Sequence, residues 1–65
     1  MSTQIEVRRV YKCLFENLEK QELVYAWYED MDGYIVYEEC MDPLQTKRKL
    51  TKTQFYERYM RVWEM

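Results

Sequence analysis

Six carboxylates near the middle of the sequence are the side chains whose types and spacing come closest to acid/base chemistry. No lysine or arginine lies between positions 21 and 46, and the six are Glu29, Asp30, Asp32, Glu38, Glu39 and Asp42. Carboxylates work as general acid and base only where a pocket shifts the pKa of one of them. The chain has no histidine and a single glycine, which excludes imidazole bases and glycine-rich phosphate loops. We therefore expect a protein that is not an enzyme, with no catalytic residues and no small-molecule substrate.

Metal and cofactor sites are not expected either. The run Asp30-Met31-Asp32-Gly33 is too short for a calcium loop, which supplies about six oxygen ligands over about twelve residues. The two cysteines, Cys13 and Cys40, would need carboxylates to complete a zinc site. We expect both thiols to be reduced and to act as small buried hydrophobic side chains on strands, and a Cys13–Cys40 disulfide is the alternative.

The length of the chain sets the domain count. With 65 residues there is room for one small core, because proteins of this size bury only about 60% of the surface that the unfolded chain exposes. We expect a single α+β domain over residues 1–65. No N-terminal stretch joins a basic start to a long apolar run, so the sequence predicts neither a signal peptide nor a transmembrane helix. The prediction is a cytoplasmic protein that binds no membrane.

The clearest predicted element is an amphipathic helix at the C-terminus. Thr51 and Gln54 have the spacing of a capping box, and Leu50 and Phe55 have the spacing of a hydrophobic staple. Apolar side chains follow at helical spacing, at Phe55, Tyr56, Tyr59, Met60, Val62 and Trp63. The pattern therefore predicts a helix with one broad apolar face.

A β-hairpin is predicted in the middle of the chain. Residues 23–29 and 34–39 are rich in aromatic and β-branched residues, and the turn between them ends in Asp-Gly. Gly33 is expected to adopt the positive φ that such a turn requires. A second turn is predicted at Pro43, and residues 46–50 carry lysines that place the next strand at a sheet edge.

Residues 5–18 support two interpretations. Their apolar side chains match a helical stripe preceded by a capping box of Thr3 and Glu6, whereas their residue types favour a strand. We favour the strand. The predicted fold is then a small antiparallel β-meander of three to four strands followed by a C-terminal amphipathic α-helix. The alternative is a helix, a β-hairpin and a second helix.

The strand predicted at residues 23–29 carries bulky apolar side chains on both sides. Leu23, Tyr25 and Trp27 alternate with Val24, Ala26 and Tyr28. One helix covers only one face, and we expect it to lie over the face with Ala26, whose small side chain permits a close approach. Tyr25, Trp27 and Tyr37 are then expected on the exposed face. Tyrosine and tryptophan are enriched at protein interfaces, so this face predicts protein binding.

The sequence therefore predicts a small protein-binding module that modulates or inhibits its partner, or that binds a second copy as a homodimer. Its acidic residues would steer it toward a basic partner, including a nucleic-acid-binding enzyme. In size and acidity the chain is similar to small accessory or inhibitor proteins that phages and mobile elements encode. The predicted partner-binding residues are Tyr25, Trp27, Tyr37, Glu29, Asp30, Asp32, Glu38 and Glu39.

Nucleic-acid binding is the alternative function, because the charges are sorted along the chain. Residues 1–46 carry ten acidic and four basic groups, a net charge of −6, and residues 47–65 carry six basic and two acidic groups, a net charge of +4. The candidate nucleic-acid-binding residues are Lys47, Arg48, Lys49, Lys52 and Arg58. A sequence pI of about 5.1 argues against this function. The basic segment is equally expected to fold back on the acidic loops and neutralise them.

Overall fold

Residues 7–62, the part of the chain that the computed structural model describes, form a five-stranded antiparallel sheet and one short helix. The elements in chain order are β1 (Val7–Asn17), β2 (Leu23–Asp30), β3 (Tyr34–Glu39), β4 (Arg48–Thr51), α1 (Lys52–Arg58) and β5 (Tyr59–Arg61). The strand order across the sheet is β4-β3-β2-β1-β5. The helix therefore joins the two edge strands, β4 and β5, which lie at opposite sides of the sheet.

The central hairpin forms where the sequence predicts it. Gly33 has a φ of 88°, and its backbone N–H donates to the carbonyl of Asp30 at 3.1 Å. The side chain of Asp30 also accepts from the backbone N–H groups of Asp32 and Tyr34, at 3.0 and 2.9 Å. An aspartate that bonds the backbone ahead of it is typical of such turns. The turn residues therefore fix the pairing of β2 with β3 next to the turn, at Glu29 and Ile35.

The strand prediction for the N-terminal third is confirmed, and the alternative of helix, hairpin and helix is wrong. β1 pairs with β2 along most of its length, so its backbone groups are satisfied across the sheet rather than along a helix. The strand-favouring residue types and this long-range pairing outweigh the helical spacing of the apolar side chains, because that spacing is only a local signal. Thr3, Ile5 and Glu6 lie outside the described residues.

The capping box is confirmed, but the helix is shorter than predicted and is not C-terminal. The Gln54 N–H donates to the Thr51 hydroxyl at 3.2 Å, and the Thr51 N–H donates to the Gln54 side chain at 3.4 Å. Helix α1 ends at Arg58, and Tyr59 is already extended, with φ −131° and ψ 149°. The predicted apolar stripe beyond Tyr56 is therefore not helical, and Trp63 lies outside the described residues.

A fifth strand replaces the second half of the predicted helix, so the predicted count of three to four strands is wrong. Residues of β5 pair with β1 at Phe15, Glu16 and Asn17. Two backbone bonds outside the ladder extend the contact, from the Leu18 N–H to the Arg58 carbonyl and from the Val62 N–H to the Leu14 carbonyl. The physical reason is that β1 offers an unpaired edge, and its hydrogen bonds outweigh a weak helical preference.

The predicted edge strand is confirmed at β4, which lies at one side of the sheet and pairs only with β3 among residues 7–62. Its outer lysine and arginine side chains are exposed. Charged side chains of this kind discourage the pairing of an edge with other chains.

The helix lies over the face that contains Ala26, as predicted. Ala26 is fully buried, and the ring of Phe55 on α1 packs against Phe15 on β1 with centroids 4.8 Å apart. The buried cluster on this side consists of Phe15, Val24, Ala26, Ile35, Tyr37, Phe55 and Tyr59. The hydrophobic core is therefore on one side of the sheet.

A bulge at Trp27 changes the face of every residue that follows on β2. Ala26 lies opposite Tyr37, but Tyr28 lies opposite Val36, so β2 has one more residue than β3 at this point. Strand β1 bulges at the same level, where Lys12 has a φ of 49°. Strict alternation would place Tyr28 beneath the helix. The bulge instead turns Tyr28 away from the core, because a one-residue shift exchanges the two faces.

The cysteines differ in their surroundings. Cys13 on β1 is partly buried and packs against the core cluster, whereas Cys40 follows β3 and is exposed. Both thiols are free, so the Cys13–Cys40 disulfide does not form. The prediction that Cys40 is buried on a strand is wrong, because the chain turns after Glu39. Within residues 7–62 no helix has the length and hydropathy required to cross a bilayer.

Candidate protein-binding face

The sheet surface opposite α1 carries a row of large apolar side chains, and we call it the open face. Its members follow from the register of the strands and are Val10, Leu14, Leu23, Tyr25, Trp27, Tyr28, Tyr34, Val36 and Met60. Val10 and Met60 are 55% and 52% exposed, and Leu23 and Tyr34 are also exposed. An antiparallel sheet that meets water on one side normally carries polar side chains there. The open face does not follow that pattern.

Trp27 lies at the centre of the open face and is held in place by three neighbours. Its ring meets the Tyr25 ring edge-on, with centroids 4.8 Å apart. Its indole Nε1 donates to Glu38 Oε1 at 3.1 Å. Lys47 Nζ lies 4.7 Å from the centroid of the Trp27 ring and 2.9 Å from the same glutamate oxygen. The indole is therefore fixed in orientation while its side chain stays only partly buried.

A second cation rests on an aromatic ring at the β4 edge of the open face. Lys49 Nζ lies 5.1 Å from the centroid of the Tyr34 ring. Such contacts contribute about 0.5–1 kcal/mol at exposed sites. The aromatic rings of this face are therefore bordered by lysines on the β4 side.

Tyr37, which the sequence places on the exposed face, lies instead in the core beneath the helix. Its ring packs against Phe55 and Tyr59, with centroids 5.4 and 5.7 Å apart. Burial, together with a hydrogen bond to Tyr59, raises the pKa of Tyr37 to about 12. The prediction of an exposed Tyr37 is wrong because the bulge at Trp27 displaces the cross-strand pairing by one residue.

The six carboxylates do not form one rim. Glu29 is buried on the helix side, 3.8 Å from an Arg8 guanidinium nitrogen and 4.0 Å from Lys52 Nζ. Glu38 lies on the open face beside Trp27. The others are separated along the sheet, with Asp30 and Asp32 at the hairpin turn and Glu39 and Asp42 at the opposite end.

Most of the basic segment is paired with these carboxylates, as the neutralisation alternative predicts. Lys47 pairs with Glu38 at 2.9 Å, and Arg48 lies 3.6 Å from Glu39 and 4.0 Å from Asp42. The backbone N–H groups of Leu44 and Thr46 donate to the Asp42 side chain and lower the pKa of that carboxyl group. The opposite charges that are sorted along the sequence are therefore largely paired at this end of the sheet.

The candidate nucleic-acid-binding residues do not share a surface. Lys47 and Lys49 border the open face, whereas the register places Arg48 on the helix side. Lys52 and Arg58 belong to α1, where Lys52 lies near buried Glu29. The structure therefore brings two of the five together on the open face and separates the others.

Several members of the open face were not singled out from the sequence. Tyr28 is on this face because of the bulge, which no local pattern indicates. Val10 and Leu14 belong to it because β1 is a strand adjoining β2. Tyr34 belongs to it because Ile35, the next residue on β3, is buried in the core and alternation directs Tyr34 to the other side.

The fold and this surface define a small α+β protein with a core on one side of its sheet and an apolar face on the other. Comparisons with protein-family models, with curated proteins and with solved structures find no match to this chain. No group of metal-ligating side chains occurs among residues 7–62. The open face is therefore the candidate functional site.

Proposed function

We propose that this chain is a non-enzymatic protein-binding module whose open face occupies the surface of a partner protein. The observation that carries the proposal is the apolar character of the sheet surface opposite α1, where Trp27 and Tyr25 are only partly buried and Tyr34 is exposed. Contiguous apolar patches on a small protein are typical of interaction sites. When the partner is an enzyme, occupancy of its surface would modulate or inhibit it.

Trp27 is the proposed anchor of the interface. Tryptophan and tyrosine at the centre of an interface account for much of the binding energy, because they bury a large rigid area. The Trp27 indole is already oriented by Glu38 and Tyr25, so binding restricts few additional rotamers. Glu38 and Lys47 are satisfied by each other, and their role is orientation rather than long-range attraction.

The revised set of partner-binding residues is Tyr25, Trp27, Tyr28, Tyr34 and Glu38. Tyr37 and Glu29 are removed, because both are buried on the helix side. Asp30, Asp32 and Glu39 are removed, because they lie at the two ends of the hairpin, away from Trp27. The proposal includes action in the cytoplasm, which two free thiols favour. The resemblance in size and acidity to phage and mobile-element inhibitors stays part of this proposal.

The proposal is tested by affinity capture, in which purified tagged protein is used to bind the partner from a lysate of the source cell. Trp27→Ala is expected to lose the bound partner, since truncation of such an anchor costs about 2 kcal/mol or more. Leu18→Ala is the matched control, because Leu18 is an exposed apolar residue in the turn after β1 and is not part of the open face. Circular dichroism checks that both variants are folded. Retention of the partner by a folded Trp27→Ala protein would contradict the proposal.

The purified protein can also be used to test the alternative function, nucleic-acid binding. A gel-shift titration at low salt with single-stranded DNA and RNA is expected to show no complex, because most of the basic segment is already paired with carboxylates. A complex that weakens steeply with added salt and depends on Lys49 would favour the alternative instead.

A further inference from the structure

We propose that the protein bound by the open face is a second copy of this chain, and that Lys49 of each copy pairs with Glu16 of the other. The inference rests on the proposed function, because it names the partner of the same surface. It depends on where the unpaired charges of the open face lie relative to its aromatic centre.

The strand register places Lys49 at one corner of the open face. Lys49 lies opposite Val36 on β3, and Val36 lies opposite Tyr28 on β2. Lys49 is exposed, and its ammonium group rests on the ring of Tyr34 without an ion pair among residues 7–62. This corner is at the β4 edge, on the side of the sheet nearer the β2–β3 turn.

Glu16 lies toward the diagonally opposite corner, on β1 next to the edge strand β5. It pairs with Leu23 on β2 and with Met60 on β5, at the other end of the strands. Phe15 before it is buried in the core, so alternation directs Glu16 to the open face, where it is partly exposed. Three strand spacings separate β4 from β1, about 14 Å, and Tyr28 and Leu23 are about 16 Å apart along β2. Glu16, too, has no ion pair among the described residues.

This arrangement is complementary to itself. In a two-fold dimer the same patch faces its own copy, so that residue i contacts j and j contacts i. Lys49 and Glu16 lie on either side of Trp27 and Tyr25. A two-fold axis through that centre brings each lysine over the glutamate of the other copy when it lies in the plane between the two facing sheets and perpendicular to the line that joins Lys49 and Glu16. Opposite charges at the rim and aromatic rings at the centre are the arrangement that interfaces favour.

The paired charges of the face do not oppose this packing. Lys47 and Glu38 lie beside Trp27 and are bonded to each other at 2.9 Å. Each of the two side chains therefore has its opposite charge within its own copy. Because the dimer is symmetric, the same pair occurs in both copies. Two sheets packed face to face are about 10 Å apart, which leaves room for the rings of both copies to interdigitate.

A second copy also supplies the layer that the fold lacks. A sheet with apolar side chains on both faces is stable when each face is covered, and α1 covers one. Oligomerisation is a common way for chains of this size to complete their core. The core and the dimer interface would then be two apolar layers on either side of one sheet.

Sedimentation velocity over a wide range of protein concentration tests the inference. The wild-type chain is expected to be a reversible dimer. Lys49→Glu and Glu16→Lys are each expected to weaken association by about tenfold or more, because each places like charges together in two symmetric contacts. The double variant with both changes is expected to recover the dimer, since the two charges are exchanged but remain complementary.

Matched controls separate this pairing from the effect of net charge. Lys20→Glu and Glu19→Lys make the same charge changes in the exposed turn after β1, and both are expected to leave association unchanged. The inference is overturned by a monomer at every concentration, by a dimer that neither single reversal weakens, or by a double variant that stays as weak as the single ones. A monomer that still captures another protein through Trp27 would overturn this inference and leave the proposed function standing.

Discussion

The two faces of one sheet differ in how they are covered, although both carry large apolar side chains. On the helix side Phe15, Phe55 and Ile35 are completely removed from solvent. On the open face Trp27 is only partly buried and Tyr34 is exposed. The difference shows that large apolar side chains alone do not make a face the core, since both faces carry them. The face that became the core is the one that the short helix covers.

The helix covers one face because it is short and because that face has space for it beside Ala26. Seven residues give α1 a length of about 10 Å, so it covers only part of one face. The small side chain of Ala26 leaves space on that face for the Phe55 ring. The capping box and the sharp change to extended backbone at Tyr59 fix where the helix begins and ends. The rest of the apolar surface is left for a partner.

The two faces are expected to differ most in the stability that is lost when one aromatic ring on each face is truncated. Phe55→Ala is expected to lower the free energy of unfolding by about 3–5 kcal/mol, because it opens a cavity in the core. Tyr34→Ala is expected to cost about 1 kcal/mol or less, since it removes only a cross-strand contact on an exposed surface. Urea denaturation followed by circular dichroism measures both.

The control for the core variant is Phe55→Leu, which keeps most of the side-chain volume and is expected to remain folded. Equal losses of stability for Phe55→Ala and Tyr34→Ala would contradict the assignment of the core to one face.

Alkaline pH is expected to destabilise the helix side of the sheet through its buried tyrosines. Burial raises the pKa of Tyr37 from its ordinary value of 10.0 to about 12, and burial, with the hydrogen bond that joins the hydroxyl groups of Tyr11 and Tyr56, does the same for the pKa of Tyr11. Between these values the unfolded chain binds fewer protons than the folded protein, so the free energy of unfolding falls as pH rises. The stabilisation is complete below pH 10 and is lost as the pH passes through 12.

Thermal unfolding measured at a series of pH values above neutrality checks this expectation. Tyr37→Phe is expected to reduce the alkaline loss of stability, and Tyr25→Phe on the open face is expected to retain it, because Tyr37 is intact in that variant. A Tyr37→Phe protein with an unchanged pH profile would show that Tyr37 is not the group responsible.

Removal of the helix cap is the smallest of these changes. Thr51→Ala removes the acceptor for the Gln54 N–H and is expected to cost about 1 kcal/mol. Thr53→Ala in the same helix is the control, since Thr53 is exposed and lies outside the cap. If the two variants unfold at the same urea concentration, the cap does not help to position the helix over the core.

Local chemistry in the sequence determined the turn, the cap and the strands. Gly33 and Asp30 specify the central turn, and Thr51 and Gln54 specify where the helix begins. The choice of a strand for residues 7–17 also follows from residue type. These features depend on neighbours within a few residues, so a local pattern is sufficient to predict them.

Tertiary pairing decided the features that local patterns could not. The end of the helix at Arg58 depends on the free edge of β1, which accepts β5 although the sequence there has helical spacing. The faces of Tyr28 and Tyr37 depend on one extra residue at Trp27, because a bulge exchanges the two sides of a strand. The dispersal of the six carboxylates depends on which strands are neighbours. Each of these outcomes is set by hydrogen bonds between residues far apart in the chain, and a single sequence does not contain their register.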